Sequence, residues 1–60
     1  MKTYEDNGYR YFYDFYIKSW TIYEIDLEGF QVGNADYFSN KKQLIISYPT
    51  LKFIKEEELA

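Results

Sequence analysis

From Tyr9 to Glu28 the chain reads YRYFYDFYIKSWTIYEIDLE, twenty residues without a Gly or Pro and mostly aromatic or aliphatic. Flat and branched side chains of this kind pack well across a pleated surface. The odd positions Tyr9, Tyr11, Tyr13, Phe15 and Ile17 are all apolar or aromatic, while the even ones include Arg10, Asp14 and Lys18, which is the period of a strand. A helix competes, because Tyr9, Phe12, Tyr13, Tyr16, Ile17 and Trp20 also fall on one helical face and Arg10, Asp14 and Lys18 would form an i,i+4 ladder. The β propensity of the run decides for a strand. A single strand of this length would exceed the usual range of about three to ten residues, so a bend is expected near Lys18-Ser19. The second strand then carries Thr21, Tyr23, Ile25 and Leu27 on one face and Trp20, Ile22, Glu24, Asp26 and Glu28 on the other.

The flanking segments fit a sheet built around this run. Asn7-Gly8 is the strongest hairpin signal in the chain, since both residues tolerate positive φ, and it allows a short first strand to pair with Tyr9 and beyond. Glu28-Gly29 reads as a turn into Phe30-Gln31-Val32, and Gly33-Asn34 as a bulge or second bend before Ala35 to Phe38. Ser39 is a plausible N-cap for a short helix over NKKQLIISY, with Leu44, Ile45 and Tyr48 on one face and Pro49 as the stop. Against the helix stand Lys41 and Lys42 at the wrong end of its dipole and the strand propensity of QLIISY. Leu51 and Phe53, flanked by Lys52, Ile54 and Lys55, read as a last strand fading into Glu56-Glu57-Glu58. The expected fold is a single α+β domain over residues 1–60, an antiparallel sheet of three to four strands with one short helix across a face. An all-β small barrel, with QLIISY as a strand, is the alternative. Trp20 is expected in the core, near Ile22 and Leu44.

A folded chain of 60 residues buries only about 60% of the surface its unfolded form exposes, so its stability is expected to be marginal. It has neither Cys nor His, which leaves large core side chains or self-association to do what a disulfide or a structural metal would otherwise do. The same absence removes the commonest general base and the strongest nucleophile. Ser19, Ser39 and Ser47 lack any Ser-x-x-Lys or Gly-x-Ser-x-Gly context, and Gly8, Gly29 and Gly33 are too scattered to cradle a phosphate. No enzyme activity, cofactor or metal is expected. The opening MKTYEDNG has no apolar core of a signal peptide, and nowhere do eighteen apolar residues run together. A cytoplasmic protein with no membrane association is expected.

Ten acids against seven bases give a formal charge of −3, which opposes direct binding to nucleic acid. Glu24, Asp26 and Glu28 form the one regular carboxylate cluster, on one strand face with a spacing of about 6.8 Å. They could serve as an acid/base pair, as Ca²⁺ ligands, as a negative stripe for a basic partner, or as the solvated face of an antiparallel sheet. The first two need a cleft or a wrapping loop that a flat strand does not supply. Tyr11, Tyr13, Phe15, Tyr16 and Trp20 could stack on unpaired bases, but Asp14 between Arg10 and Lys18 spoils the positive groove such platforms need. A Tyr-rich core with several rings left at its rim is the simpler reading, and rim Tyr and Trp favour protein interfaces.

The function expected from the sequence is therefore a small protein-binding module that docks on the basic surface of a larger protein. Its contacts are expected from Glu24, Asp26, Glu28, Asp36, Tyr23 and Trp20, with help from the Glu56-Glu57-Glu58 tail. In size and composition alone the chain is similar to the small, acidic, Cys-free inhibitors that phages and other mobile elements direct against the nucleic-acid channels of restriction, repair and CRISPR enzymes. The alternative is a self-associating structural or accessory protein, a homodimer whose aromatic strands complete a shared sheet.

Overall fold

The computed structural model describes residues 2–52. Four strands, β1 (Thr3–Asp6), β2 (Tyr9–Asp14), β3 (Ser19–Ile25) and β4 (Gln31–Phe38), are followed by one helix, α1 (Lys41–Ser47). The sheet has the order β1-β2-β3-β4, with each neighbouring pair antiparallel. It is an open meander and not a closed barrel. The last strand read from Phe53 to Lys55 and the Glu56-Glu57-Glu58 tail lie outside the described residues.

Local chemistry sets each reversal. Asn7 and Gly8 take φ of 53° and 81°, the two positive values that a twist-matched two-residue hairpin requires. Asp14 ends β2, and one oxygen of its carboxylate accepts the Tyr16 N–H at 2.9 Å, starting the turn that closes at Lys18 with φ of 53°. Asp26 organises the β3–β4 turn: its Oδ1 accepts the N–H groups of Glu28 and Phe30 at 2.9 and 3.0 Å. Gly29 completes that turn at φ of 91°, and a Cβ there would lie 3.3 Å from Nη2 of Arg10.

In β4 the register shifts. Ile22 faces Asp36 and Glu24 faces Val32, so Gly33, Asn34 and Ala35 together oppose Tyr23. The bulge falls where the sequence places Gly33-Asn34, with Gly33 at φ of 75° and the Gln31 side chain donating to the Gly33 carbonyl at 2.9 Å.

The helix forms despite its two lysines because its first turn is capped. Asn40, rather than Ser39, is the N-cap, and its Oδ1 accepts the Gln43 N–H at 2.9 Å. QLIISY is thereby held as helix, and Leu44 is its fully buried residue. The core comprises Tyr4, Tyr11, Ile22, Leu44 and Leu51, with Tyr4 and Tyr11 stacked at 5.4 Å. Trp20 is only partly buried. It packs against this cluster from the side, its ring edge-on to Tyr13 at 5.7 Å, so it is a flank of the core and not its centre. Two bonds pin the segment after α1 to the first hairpin: Lys52 N–H to Asp6 Oδ2 at 2.9 Å, and Asn7 Nδ2 to Thr50 Oγ1 at 3.1 Å. Among the described residues, the helix and this segment cover one face of the sheet and leave the other open.

Candidate functional site

The open face is built by the residues that alternate with the core set. Strand register places Thr3, Phe12, Thr21 and Tyr37 in one row across all four strands, with Phe12 facing Thr21 and Thr21 facing Tyr37. Thr21 is the short side chain between two large rings, so the row has a trough at its centre. Tyr23, two residues further along β3, stands over the same trough; its ring meets Phe12 edge-on at 6.2 Å and 77°. The two rings make a corner, and Tyr37, 60% exposed, makes a further wall.

The resulting groove has a volume of about 650 Å³. Asp14 and Ile17 lie toward the β2–β3 turn, and Gln31, Asn34 and Ala35 toward the bulge. Among the described residues no basic side chain lines it, and Asp14 is its one charged group. Beneath it, Thr21 is 5% exposed, and its buried hydroxyl oxygen has no hydrogen-bond partner among the described residues. A buried hydroxyl left unpaired costs about 1–3 kcal/mol.

Arg10 borders this face from the other side of Tyr23. Its Nε donates to Glu5 Oε2 at 2.9 Å, and its guanidinium lies 5.9 Å from the centre of the Tyr23 ring. Tyr23, and then Glu5, raise its pKa above the ordinary arginine value.

The residues singled out from the sequence do not converge here. β3 ends at Ile25, so Glu24, Asp26 and Glu28 do not form a strand-face stripe; the turn at Asp26 breaks it, where Asp26 Oδ1 accepts the N–H groups of Glu28 and Phe30. Glu24 and Glu28 are exposed. Asp36 and Trp20 project to the helix-covered face, where Asp36 accepts the Tyr48 hydroxyl at 2.5 Å and Trp20 lines a smaller hollow with Lys2, Tyr4, Tyr13 and Phe15. Of the expected set, only Tyr23 lines the groove. Phe12, Thr21, Tyr37 and Asp14 were not among the expected contacts. The alternation of Tyr23 with Thr21, and of Phe12 with Asp14, marks them as sharing faces, but only the strand order joins those faces into one.

Among the described residues no group of His, Cys, Asp and Glu could hold a metal ion, and no helix is long and apolar enough to cross a membrane. No protein-family model, curated protein or solved structure matches the chain.

Proposed function

We propose that this protein is a non-catalytic binding module that docks on a basic surface of a larger protein through the open face of its sheet. The observation that carries this reading is the groove between Phe12, Tyr23 and Tyr37, in which Phe12 and Tyr23 are half-buried and Tyr37 is exposed. Aromatic side chains held rigidly in a half-open site are the usual anchors of protein interfaces. The carboxylates assist from the periphery: Glu24 and Glu28 are exposed beside the β3–β4 turn, where they would speed approach to a basic partner and weaken with salt.

A nucleic-acid enzyme is one class of larger protein with such a basic surface, and docking there would occlude its channel. Mimicry of a phosphate backbone would be sparse. Residues 2–52 carry seven carboxylates against six bases, and Asp6, Asp14, Asp26 and Asp36 already accept hydrogen bonds within the fold. The docking energy is therefore assigned to the rings, and the charge to steering.

The test is capture of a partner by the immobilised parent beside Tyr37→Ala and the double variant Glu24→Lys, Glu28→Lys, followed by affinity measurement with the purified partner. Tyr37→Ala should lower affinity at least tenfold through faster dissociation, and the double variant should slow association. Undiminished affinity in Tyr37→Ala and in a further Tyr23→Ala variant would overturn docking through this face. The exposed side chains of Phe30, Val32 and Tyr37, 68%, 45% and 60% accessible, favour self-association as a second reading. Sedimentation of the isolated chain across micromolar concentrations separates the two, since only self-association gives a concentration-dependent mass without a partner.

A further inference from the structure

The groove has a chemistry more specific than apolar stickiness. Its walls are the ring of Phe12, the ring of Tyr23 set at 77° to it, and the exposed ring of Tyr37; its single charge is the Asp14 carboxylate. Aromatic faces carry partial negative charge and attract a cation placed over them. A corner of rings with a carboxylate beside it, and no basic residue in its lining among the described residues, is complementary to a cation and repels an anion. The molecule already shows one such pairing at the same ring, where Arg10 lies over Tyr23; Arg10 is held by Glu5 and is not part of the groove lining. The Asp14 carboxylate is fixed at the groove by the Tyr16 N–H on one oxygen. That bond orients the charge without neutralising it.

We propose that the groove is a receptor for one cationic side chain, a lysine or arginine on a basic segment of the partner protein, which enters between Phe12, Tyr23 and Tyr37 with its charged head toward Asp14. The inference rests on the binding reading of the same groove and narrows it to a partner chemistry. A lysine or arginine stem is apolar along its length and charged at its tip, which matches a trough with aromatic walls and a carboxylate at one end.

The experiment is an NMR titration of the full chain with three capped tripeptides, acetyl-Gly-Xaa-Gly-amide, in which Xaa is lysine, trimethyl-lysine or norleucine, and with a short oligothymidylate. The ring protons of Phe12, Tyr23 and Tyr37 and the methyl of Thr21 are followed. The two cationic peptides should shift these resonances saturably and bind roughly three- to thirtyfold more tightly than norleucine, the advantage a desolvated cation–π contact confers. The Asp14→Asn variant keeps an oxygen for the Tyr16 N–H and should weaken the cationic peptides several-fold while leaving norleucine unchanged.

Equal binding of norleucine and lysine would overturn the cation receptor while leaving a docking groove in place. Loss of partner capture in Tyr37→Ala, with no groove shifts from either cationic peptide, would likewise overturn the cation assignment but not the docking. Shifts produced by the oligothymidylate and by neither cationic peptide would overturn it in favour of a base-stacking surface. Unchanged lysine affinity in Asp14→Asn would overturn the part assigned to the carboxylate.

Discussion

The hydroxyl of Tyr48 donates to the carboxylate of Asp36 at 2.5 Å, joining the C-cap of α1 to the C-terminal half of β4. This bond, supported by partial burial of the phenol and by the charge of Asp36, raises the Tyr48 pKa from 10.0 to about 12. It gives the helix a polar tether to the edge strand, in addition to the burial of Leu44.

The sign of the resulting pH dependence follows directly. Between the ordinary tyrosine pKa of 10.0 and the folded value of about 12, the unfolded chain loses the Tyr48 proton while the folded chain keeps it, so stability falls as pH rises through that window. Below pH 10 the contribution is fully present. Chemical denaturation of the parent and of Tyr48→Phe at several pH values checks this: the difference in stability between them should shrink as the pH climbs from about 10 to about 12.

Leu44→Ala should be the most damaging helix substitution. Leu44 is fully buried against the sheet, and removing such a side chain costs about 2–5 kcal/mol, comparable to the whole stability of a domain near the lower limit of about 5 kcal/mol. Circular dichroism should show the variant largely unfolded at room temperature. Ile46→Ala, on the exposed side at 63% accessibility, should melt like the parent.

Thr21→Val should stabilise the fold. Valine keeps the branched shape and removes the buried hydroxyl that has no partner, which should raise stability by about 1 kcal/mol and the melting temperature by about 4–8 °C for a domain of this size. A lower melting temperature would mean that the hydroxyl is satisfied in the folded protein.

The three acidic residues of the β3–β4 region should separate in mutagenesis. Asp26→Ala strips the acceptor of two backbone N–H groups and should cost about 1–2 kcal/mol, whereas Glu24→Ala and Glu28→Ala should stay within about 0.5 kcal/mol of the parent. Thermal melts of the three variants decide it.

Lys18 holds φ of 53°, a left-handed conformation that strains any residue with a Cβ. Lys18→Gly should therefore gain about 0.5–1 kcal/mol despite the extra freedom it gives the unfolded chain, read as a higher denaturation midpoint.

What could be read from the chain depended on whether the signal was local. The Asn7-Gly8 hairpin, the irregularity at Gly33-Asn34 and the short helix before Pro49 are all carried by residues close in sequence, and each appears in the fold; the strand alternation from Tyr9 holds as far as Asp14, while Phe15 and Ile17 fall in the turn before β3. The choice of Asn40 over Ser39 as cap is a one-residue ambiguity between two equally suitable side chains. Asp26 misled for a physical reason: aspartate on a strand face and aspartate capping a turn look the same until the strand's end is known, and reading the turn at Glu28-Gly29 put that end past Asp26, whereas β3 stops at Ile25. The groove was out of reach altogether. Phe12, Thr21 and Tyr37 come together only through the pairing of β2, β3 and β4, and an unpartnered hydroxyl has no signature in the order of residues.

The bulge in β4 has a consequence for how this sheet can grow. β4 is an edge strand of eight residues without Lys or Pro, the kind of border that invites another chain to zip alongside and so begin a fibre. With Gly33, Asn34 and Ala35 displaced against Tyr23, the outward amide and carbonyl groups lose their even spacing, and a straight guest strand can match only the short stretches on either side. At the β4 border the bulge therefore works against strand-by-strand addition, and the rings of Phe12, Tyr23 and Tyr37 can stand at the surface beside a backbone edge that is poorly shaped to template a fibre.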